Sequence, residues 1–241
     1  MRLRYVVALL WSLFLIAPCL FSQNAHNMSG KLDGPLLAGG VATFSYSFYL
    51  MNKVEPLTEA QVREADPLQV KPLDRVSTRQ WSPRAHKTSD LFLRASFISQ
   101  FALLTDQESR DEIGAIGVMA AEVAFINNGI TNIFKGAFKR SRPFVYNPAA
   151  PMGIKKEKNA RWSFFSGHAS NSASYTFFAA KVYTDNNPGS KWNPYVWTTA
   201  AVVPAITSLL RVKAGKHFPT DVVVGYAVGA AIGIIVPQLH K

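Results

Sequence analysis

Long apolar runs with helical spacing fill the chain from residue 89 onward, and this feature limits the possible folds most. The sequence has few of the alternating runs typical of strands and no Asn-Gly hairpin between β-branched segments. We therefore predict an all-α fold, a helical bundle that is either soluble or embedded in a membrane. The predicted helices are Ser89–Leu104, Ile113–Phe134, His168–Thr184, Tyr195–Arg211 and Thr220–Leu239.

Small residues recur at every fourth position of the last predicted helix, where Gly225, Gly229 and Gly233 share one face. Small residues at this spacing let the backbone of a second helix approach closely, as in membrane bundles or tightly packed soluble ones. We therefore expect this face to form a close helix–helix contact.

The first 22 residues have the layout of a secretory signal peptide. Arg2 and Arg4 precede an apolar run, Tyr5–Phe21, and small or polar residues follow it. We predict export with cleavage after Ser22. A lipoprotein modified at Cys19 and an uncleaved anchor helix are the alternatives, and both also imply export. Cys19 is the only cysteine, so disulfides contribute nothing to the fold.

Residues 23–88 are predicted to form a polar N-terminal extension with short helices, ahead of a main helical domain at 89–241. Within the extension, Pro35–Leu50 is apolar but short and rich in Gly and Ser, so we do not predict a membrane span there. Thr58 and Gln61 form a capping-box pattern, which predicts that a short helix begins at this point.

The formal net charge of +11 favours anionic partners such as nucleic acid, acidic lipid headgroups or phosphorylated substrates. The basic residues are clustered, and two of the clusters flank predicted apolar helices. The clusters are Lys135, Lys139, Arg140 and Arg142; Lys155, Lys156 and Lys158; and Arg211, Lys213 and Lys216.

The first stretch with a chemical pattern is KGAFKRSRP, residues 135–143, directly after a predicted helix. Arg142 can donate two parallel hydrogen bonds to a phosphate, and Lys135 adds a point charge. Pro143 ends any helix at this point. Taken alone, such a stretch is more often a solvated or interfacial basic surface.

The second stretch is SFFSGHAS, residues 163–170, at the start of an apolar helix. Ser166 is a good N-cap, and the free N–H groups of the helix that it starts can bind an anion. Gly167 lets the backbone approach an oxyanion closely, and His168 lies in the first turn. Taken alone, a capping serine beside a packed histidine is the simpler interpretation.

The third stretch is RVKAGKHFPTD, residues 211–221. Pro219 suits the first position of a helix, with His217 just before that helix and Asp221 in its first turn. The carboxylate could hold one ring nitrogen and leave the other free as a nucleophile. A single His–Asp pair at this spacing is also common by chance.

Together, the spacings Lys-x6-Arg-Pro, Ser-Gly-His and Arg-x5-His-x3-Asp resemble the signature of the type-2 phosphatidic-acid phosphatase and vanadium haloperoxidase superfamily. The resemblance covers roughly Ser89 to Leu239 and implies an all-helical phosphatase catalytic domain at 89–241. Two positions depart from the pattern: Phe165 replaces the usual proline, and Leu210 the usual serine. These two departures put in question the rigidity of the loop before Ser166 and the support of the phosphate site that the usual residues would provide.

The resemblance assigns a role to each residue of the three motifs. Lys135, Arg142 and Arg211 would bind the phosphate oxygens. Ser166 and the amide of Gly167 would complete the anion site.

The same resemblance implies the chemical steps. His217 would attack phosphorus and form a phosphohistidine, and Asp221 would orient its imidazole. His168 would protonate the leaving group and later activate the hydrolytic water. The implied enzyme needs no cofactor and no metal, and the sequence has no HExxH or Cys-rich cluster to hold one.

The preferred function is hydrolysis of a phosphate monoester or pyrophosphate, most simply of a lipid. A soluble periplasmic acid phosphatase shares the motifs. A vanadate-dependent haloperoxidase would use the same residues, but such chains are generally much longer. A non-catalytic anion or nucleic-acid binder would not explain the paired histidines and the aspartate, and no nucleic-acid module is recognised, so no nucleic-acid partner is expected.

The preferred location is the inner membrane, with the active site on the periplasmic side. Tyr195–Arg211 and Thr220–Leu239 are apolar enough to insert, whereas Arg94 and Glu122 would be costly in lipid unless they face the bundle interior. If the signal segment starts the count and Pro35–Leu50 does not span, all three motifs lie on the exported side. The lysines there run against the positive-inside tendency.

Overall fold

The structure, a computed structural model, describes residues 25–241; the predicted signal segment and Cys19 lie outside the described residues. Six long helices form a bundle, and no residue in the described range is in a strand. The all-α prediction is therefore confirmed. The six helices are α1 (Gly30–Asn52), α2 (Pro83–Ser99), α3 (Ile113–Phe138), α4 (Gly167–Asn186), α5 (Asn193–Lys213) and α6 (Pro219–Leu239).

Short helical segments occupy the connections between the long helices. The predicted capping box is present: Thr58 Oγ1 accepts from the amide of Gln61, and Gln61 Oε1 accepts from the amide of Thr58. The short segments are Glu59–Arg63, Pro67–Gln69, Pro72–Arg75, Val76–Arg79, Gln100–Thr105, Gln107–Asp111, Pro143–Tyr146, Met152–Lys155 and Lys158–Arg161.

Helix α4 is the centre of the bundle and packs against α2, α3, α5 and α6. The predicted glycine face of α6 forms the closest of these contacts. A Cβ on Gly229 would lie 2.0 Å from the carbonyl oxygen of Ser170. A Cβ on Gly225 or Gly233 would lie 2.6 Å from the carbonyl oxygen of a serine at the N-cap or within α4, respectively. Only a hydrogen atom fits at these positions, which confirms the expected close contact.

Helix α1 packs alongside α3 and runs parallel to it. A Cβ on Gly129 would lie 2.9 Å from the amide nitrogen of Phe44, and a Cβ on Gly136 would lie 2.7 Å from Leu50 Cβ. Residues 35–50, which we did not expect to span, therefore extend along the bundle instead of remaining outside it. Local composition disfavours this helix because Gly and Ser are poor helix formers. Packing against the α3 glycines stabilises it.

The helices place the three sequence motifs at one end of the bundle, which we call the site end. The N-terminus of α1 and the C-terminus of α6 meet at the opposite end, the distal end, where the amide of Asn27 donates to the carbonyl of His240. In the part of the chain that the structure describes, three helices, α3, α5 and α6, are long and apolar enough to cross a membrane.

Candidate active site

All eight predicted site residues lie at the site end, on four helices and the loops that join them. They are Lys135 in the last turn of α3, Arg142 before the segment Pro143–Tyr146, Ser166 at the N-cap of α4, Gly167 and His168 in the first turn of α4, Arg211 in the last turn of α5, His217 before α6 and Asp221 in the first turn of α6.

The start of α4 faces the ammonium group of Lys135. Ser166 caps the helix, accepting from the amide of Ala169 at 3.3 Å, as its sequence position predicted. A Cβ on Gly167 would lie 2.9 Å from Lys135 Nζ, so glycine is what lets the cation come this close to the helix start. The positive end of the helix dipole and the ammonium group therefore act on the same volume.

Arg211 is held in place by α2. Its Nη1 donates to Nδ1 of His86 at 2.9 Å and to Oγ of Ser89 at 3.1 Å. Within residues 25–241, the buried Nε atoms of Arg211 and Arg142 have no acceptor. Buried donors without a partner are costly, and an anion would satisfy both. Leu210 stands where the related pattern has serine, so the support of Arg211 comes from α2 instead.

His217 is oriented by a main-chain carbonyl. Its Nδ1 lies 2.8 Å from the carbonyl oxygen of Ser163, whereas Oδ2 of Asp221 is 3.7 Å away, beyond hydrogen-bond distance. A carbonyl oxygen can only accept, so Nδ1 carries the proton and Nε2 keeps its lone pair. The arrangement differs from the expected one, in which Asp221 itself would hold the ring.

Asp221 instead fixes the segment that carries this carbonyl. Its carboxylate accepts from Ser163 Oγ and from the amide of Phe218. Arg140 donates to the same carboxylate and also to Asp74, 2.8 Å away. Sequence reasoning placed Arg140 in a basic cluster without a role and missed Asp74, which lies 66 residues earlier in the chain.

His168 also has a partner that sequence reasoning missed. Its Nε2 lies 2.7 Å from Oδ1 of Asp90 on α2, and the same oxygen lies 3.6 Å from Nδ1 of His86. A possible sequence signal was the His86–Asp90 pair, because residues four apart share one face of a helix. The pair indicates a polar face on α2, but it does not say which residues that face meets.

The electrostatics of the site favour neutral histidines while no anion is bound. His217 and His168 both lie outside the three apolar helices. Burial lowers the pKa of His217 well below its ordinary value, and the charges of Arg142 and Arg211 lower it further. Burial, followed by the charge of Arg211, lowers the pKa of His168 to about 2, although Asp90 acts in the opposite direction.

Lys216 shows the same positive field. Burial lowers its pKa to about 8, and the charges of Arg142 and Arg211 add to the effect. Cations that lower one another's pKa values in this way create a positive field that favours the binding of an anion.

Phe165, at the position where the related pattern has proline, is fully buried. Its ring centroid lies 5.4 Å from that of Phe134, one residue before Lys135, and 6.0 Å from that of Phe164. Aromatic packing therefore fixes the segment that leads into α4.

Comparisons with known proteins agree with this geometry. A family model described as PAP2 superfamily matches residues 116–241, more than half of the chain. The chain belongs to the PAP2 superfamily, which confirms the resemblance read from the three motifs.

Two similar proteins bear names that describe an activity. Lipid A 4'-phosphatase from Porphyromonas gingivalis is 26% identical over 143 residues, which are 58% of this chain and 57% of that protein. The crystal structure of a transmembrane PAP2 type phosphatidylglycerolphosphate phosphatase from Bacillus subtilis matches with a TM-score of 0.47 and 19% identity, over 83% of this chain and 94% of that one.

Proposed function

We propose that this chain is a membrane-embedded phosphatase that hydrolyses a lipid phosphate ester through a phosphohistidine at His217. The observation that carries the proposal is the fixed tautomer of His217. Its Nδ1–H donates to the carbonyl of Ser163, so Nε2 is unprotonated and nucleophilic. Membership in the PAP2 superfamily supports phosphoryl transfer as the reaction class.

The proposed reaction has two balanced steps. Nε2 of His217 forms a bond to phosphorus while the bond to the ester oxygen breaks, and the leaving oxygen takes a proton from His168. A water molecule then gives a proton to His168 while its oxygen forms a bond to phosphorus and the bond between phosphorus and Nε2 breaks, which releases phosphate and restores His217. Lys135, Arg142 and Arg211 oppose the charge on the phosphoryl oxygens in both steps.

Because the pKa of His168 is low, substrate binding would itself help to protonate this general acid. Arg211 is the largest charged contributor to that low pKa. A phosphate dianion bound to Arg211 would offset its charge and raise the pKa of His168, so the ring would gain a proton when substrate arrives. Asp90, 2.7 Å from Nε2, would stabilise the imidazolium.

The cations also account for the proposed metal independence of the reaction. In phosphoryl transfer, magnesium commonly neutralises the oxygens that here would meet two guanidinium groups, an ammonium group and the start of α4. The positive field of these groups would repel a metal ion.

A lipid substrate fits the surroundings of the site. A cavity of about 340 Å³ begins one turn beyond Asp90 and His168, between α2 and α4. Its lining is mostly apolar, as an acyl chain requires. The lining residues are Leu93, Arg94, Phe97, Ile98, Asn171 and Tyr175. The relative from P. gingivalis is named for a lipid phosphate, and three helices within residues 25–241 are long and apolar enough to cross a membrane.

The test is to trap the covalent intermediate. Detergent-solubilised protein is mixed with a ³²P-labelled activated phenyl phosphate and quenched with alkali, in which phosphohistidine survives. The wild type and His168→Ala should both show label on His217, with more label in His168→Ala because dephosphorylation is slowed. Loss of acid–base help typically lowers turnover by about a hundred- to ten-thousand-fold.

His217→Ala should show neither label nor turnover. His26→Asn is the matched control, because His26 is a buried histidine at the distal end and should leave labelling unchanged. Label on any other residue, or full turnover by folded His217→Ala, would refute the proposal. Assays with chelator at 20 °C, with folding monitored in parallel, test metal independence separately.

A further inference from the structure

A second cluster of ionisable side chains lies at the distal end, away from the phosphate site. Asp33 comes from the first turn of α1, Glu122 from α3 and His240 from the residue that caps α6. Nε2 of His240 lies 2.8 Å from Oδ1 of Asp33 and 3.3 Å from Oε2 of Glu122. One potential ligand atom from each side chain lies within 4.8 Å of the others.

The hydrogen bonding of His240 fixes which nitrogen faces the carboxylates. Nδ1 lies 2.8 Å from the carbonyl oxygen of Val236, which can only accept, so Nδ1 carries a proton. Without a metal, Nε2 also donates, to Oδ1 of Asp33 at 2.8 Å, and the ring is an imidazolium; a metal would replace this proton and take the lone pair on Nε2. Histidines that bind metals show this pattern, with one N–H on a carbonyl oxygen and the other nitrogen facing the metal.

Glu122 supplies an independent observation. Its side chain has no exposed surface, and neither carboxylate oxygen has a hydrogen-bond partner within residues 25–241. A buried carboxylate without a hydrogen-bond partner carries a large desolvation penalty. Two lysines at the same end of the bundle, Lys181 and Lys241, are paired with Asp185 instead.

Charge balance points in the same direction. Two carboxylates and a protonated His240 would leave one net negative charge buried. A divalent cation with a neutral His240 balances both carboxylates and uses the lone pair on Nε2. The cluster therefore lacks a cation rather than a hydrogen-bond donor.

We propose that Asp33, Glu122 and His240 form a structural site for a divalent transition metal of the Zn²⁺ class. Tetrahedral zinc with bonds of about 2.1 Å places its ligand atoms about 3.4 Å apart. The 3.3 Å between His240 and Glu122 matches this separation, and the 2.8 Å hydrogen bond between His240 and Asp33 would lengthen when the metal replaces its proton. One imidazole nitrogen with two carboxylates suits zinc better than magnesium or calcium, which prefer oxygen alone.

The site would join α1 to α3 and to the end of α6, so its role is to hold the bundle together. It lies at the opposite end from the phosphate site and takes no part in the proposed reaction. The two proposals can therefore fail separately: catalysis without metal at low temperature is compatible with a metal that stabilises the distal end.

The test uses full-length protein without a histidine tag, stripped with chelator and titrated with Zn²⁺ against a chromophoric chelator. The wild type should bind one equivalent at this site, with a rise in Tm of about 5 °C at saturation. Glu122→Gln keeps the shape of the side chain but removes a ligand charge. It should weaken binding by about tenfold or more.

The melting temperatures of the metal-free proteins provide a second test, for which the direction of the change is predicted. Because Glu122→Gln removes an unpartnered buried charge, stripped Glu122→Gln should melt above stripped wild type and gain nothing from Zn²⁺. Asp185→Asn, a buried carboxylate paired with lysines nearby, should retain the equivalent of Zn²⁺. No binding by wild type, or unchanged binding by Glu122→Gln, would overturn the proposal and leave a protonated carboxylate–histidine cluster.

Discussion

The orientation of His217 depends on a main-chain carbonyl, and this changes what Asp221 is expected to do. In a catalytic triad the acid holds the histidine tautomer directly, and its amide variant loses about 10⁴-fold in turnover. Here Asp221 lies 3.7 Å from the ring and acts through Ser163 and Arg140. Its effect on the chemistry should be indirect.

We therefore predict that Asp221→Asn loses less than about a hundredfold in kcat, since the Ser163 carbonyl still fixes the tautomer. The larger effect should be on stability, because Arg140 would lose a buried partner; breaking such a pair typically costs about 3–5 kcal/mol. The measurements are kcat on a soluble phosphate ester at 20 °C and Tm. A ten-thousandfold loss in a folded variant would show that Asp221 acts on the ring itself.

The two depressed histidine pKa values predict acid sensitivity in the absence of phosphate. In the unfolded chain each imidazole titrates near its ordinary pKa of about 6.5, whereas in the fold both stay neutral to much lower pH. The unfolded state therefore binds more protons below that pH, and stability falls as pH falls. Each group contributes up to about 1.4 kcal/mol per pH unit down to its folded pKa.

The measurement is Tm of the detergent-solubilised protein between pH 7.5 and 5. Tm should fall through this window, and His168→Asn should fall less steeply because one titrating group is gone. Saturating phosphate should also flatten the dependence, since an anion offsets the charge of Arg211. A Tm independent of pH over this window would contradict the buried neutral histidines.

At the scale of elements, the contact between α6 and α4 depends on glycine. We predict that Gly229→Ala is strongly destabilising because its Cβ would lie 2.0 Å from a main-chain oxygen of Ser170. Backbone cannot move aside as a flexible side chain can, and overpacking typically costs about 1–3 kcal/mol or more. The matched control is Gly117→Ala in α3, where a Cβ meets nothing within 4 Å.

The control should be neutral or raise stability by up to about 1 kcal/mol, as alanine favours helix more than glycine does. Thermal unfolding in one detergent compares the two variants directly. Equal melting temperatures would mean that α4 and α6 are further apart than the structure shows.

For the whole molecule, α1 decides the topology. The prediction of a periplasmic site assumed that residues 35–50 do not cross the membrane, but α1 extends along α3 from the distal end to the site end. If α1 crosses, an exported N-terminal segment places the distal end outside and the site end inside. Export of that segment and a periplasmic site then exclude each other.

Membrane embedding itself predicts opposite exposure of the two ends. In a Cys19→Ser background, Lys71→Cys lies in the connection at the site end and Lys191→Cys lies in a loop at the distal end; both positions are exposed. A membrane-impermeant maleimide on intact cells should label one of them, and only lysis should expose the other. Labelling of both in intact cells would reject a bundle that spans the membrane. Whichever end is labelled identifies the side on which the active site lies.

The sequence by itself determined the features that depend on neighbouring residues. The three motifs, the caps at Thr58 and Ser166 and the glycine face of α6 could all be predicted, because capping and helical periodicity act within a few residues. Together they were sufficient to indicate the superfamily and to name the residues that meet at the site end.

Only the tertiary structure decided how those residues are held. His168 meets Asp90 across 78 positions, and Arg140 meets Asp74 across 66, pairings for which no local pattern exists. Pro35–Leu50 became part of a long helix because the α3 glycines leave room for it, which composition cannot reveal. The tautomer of His217 was set by a carbonyl group, and since every residue has one, only the fold could select Ser163.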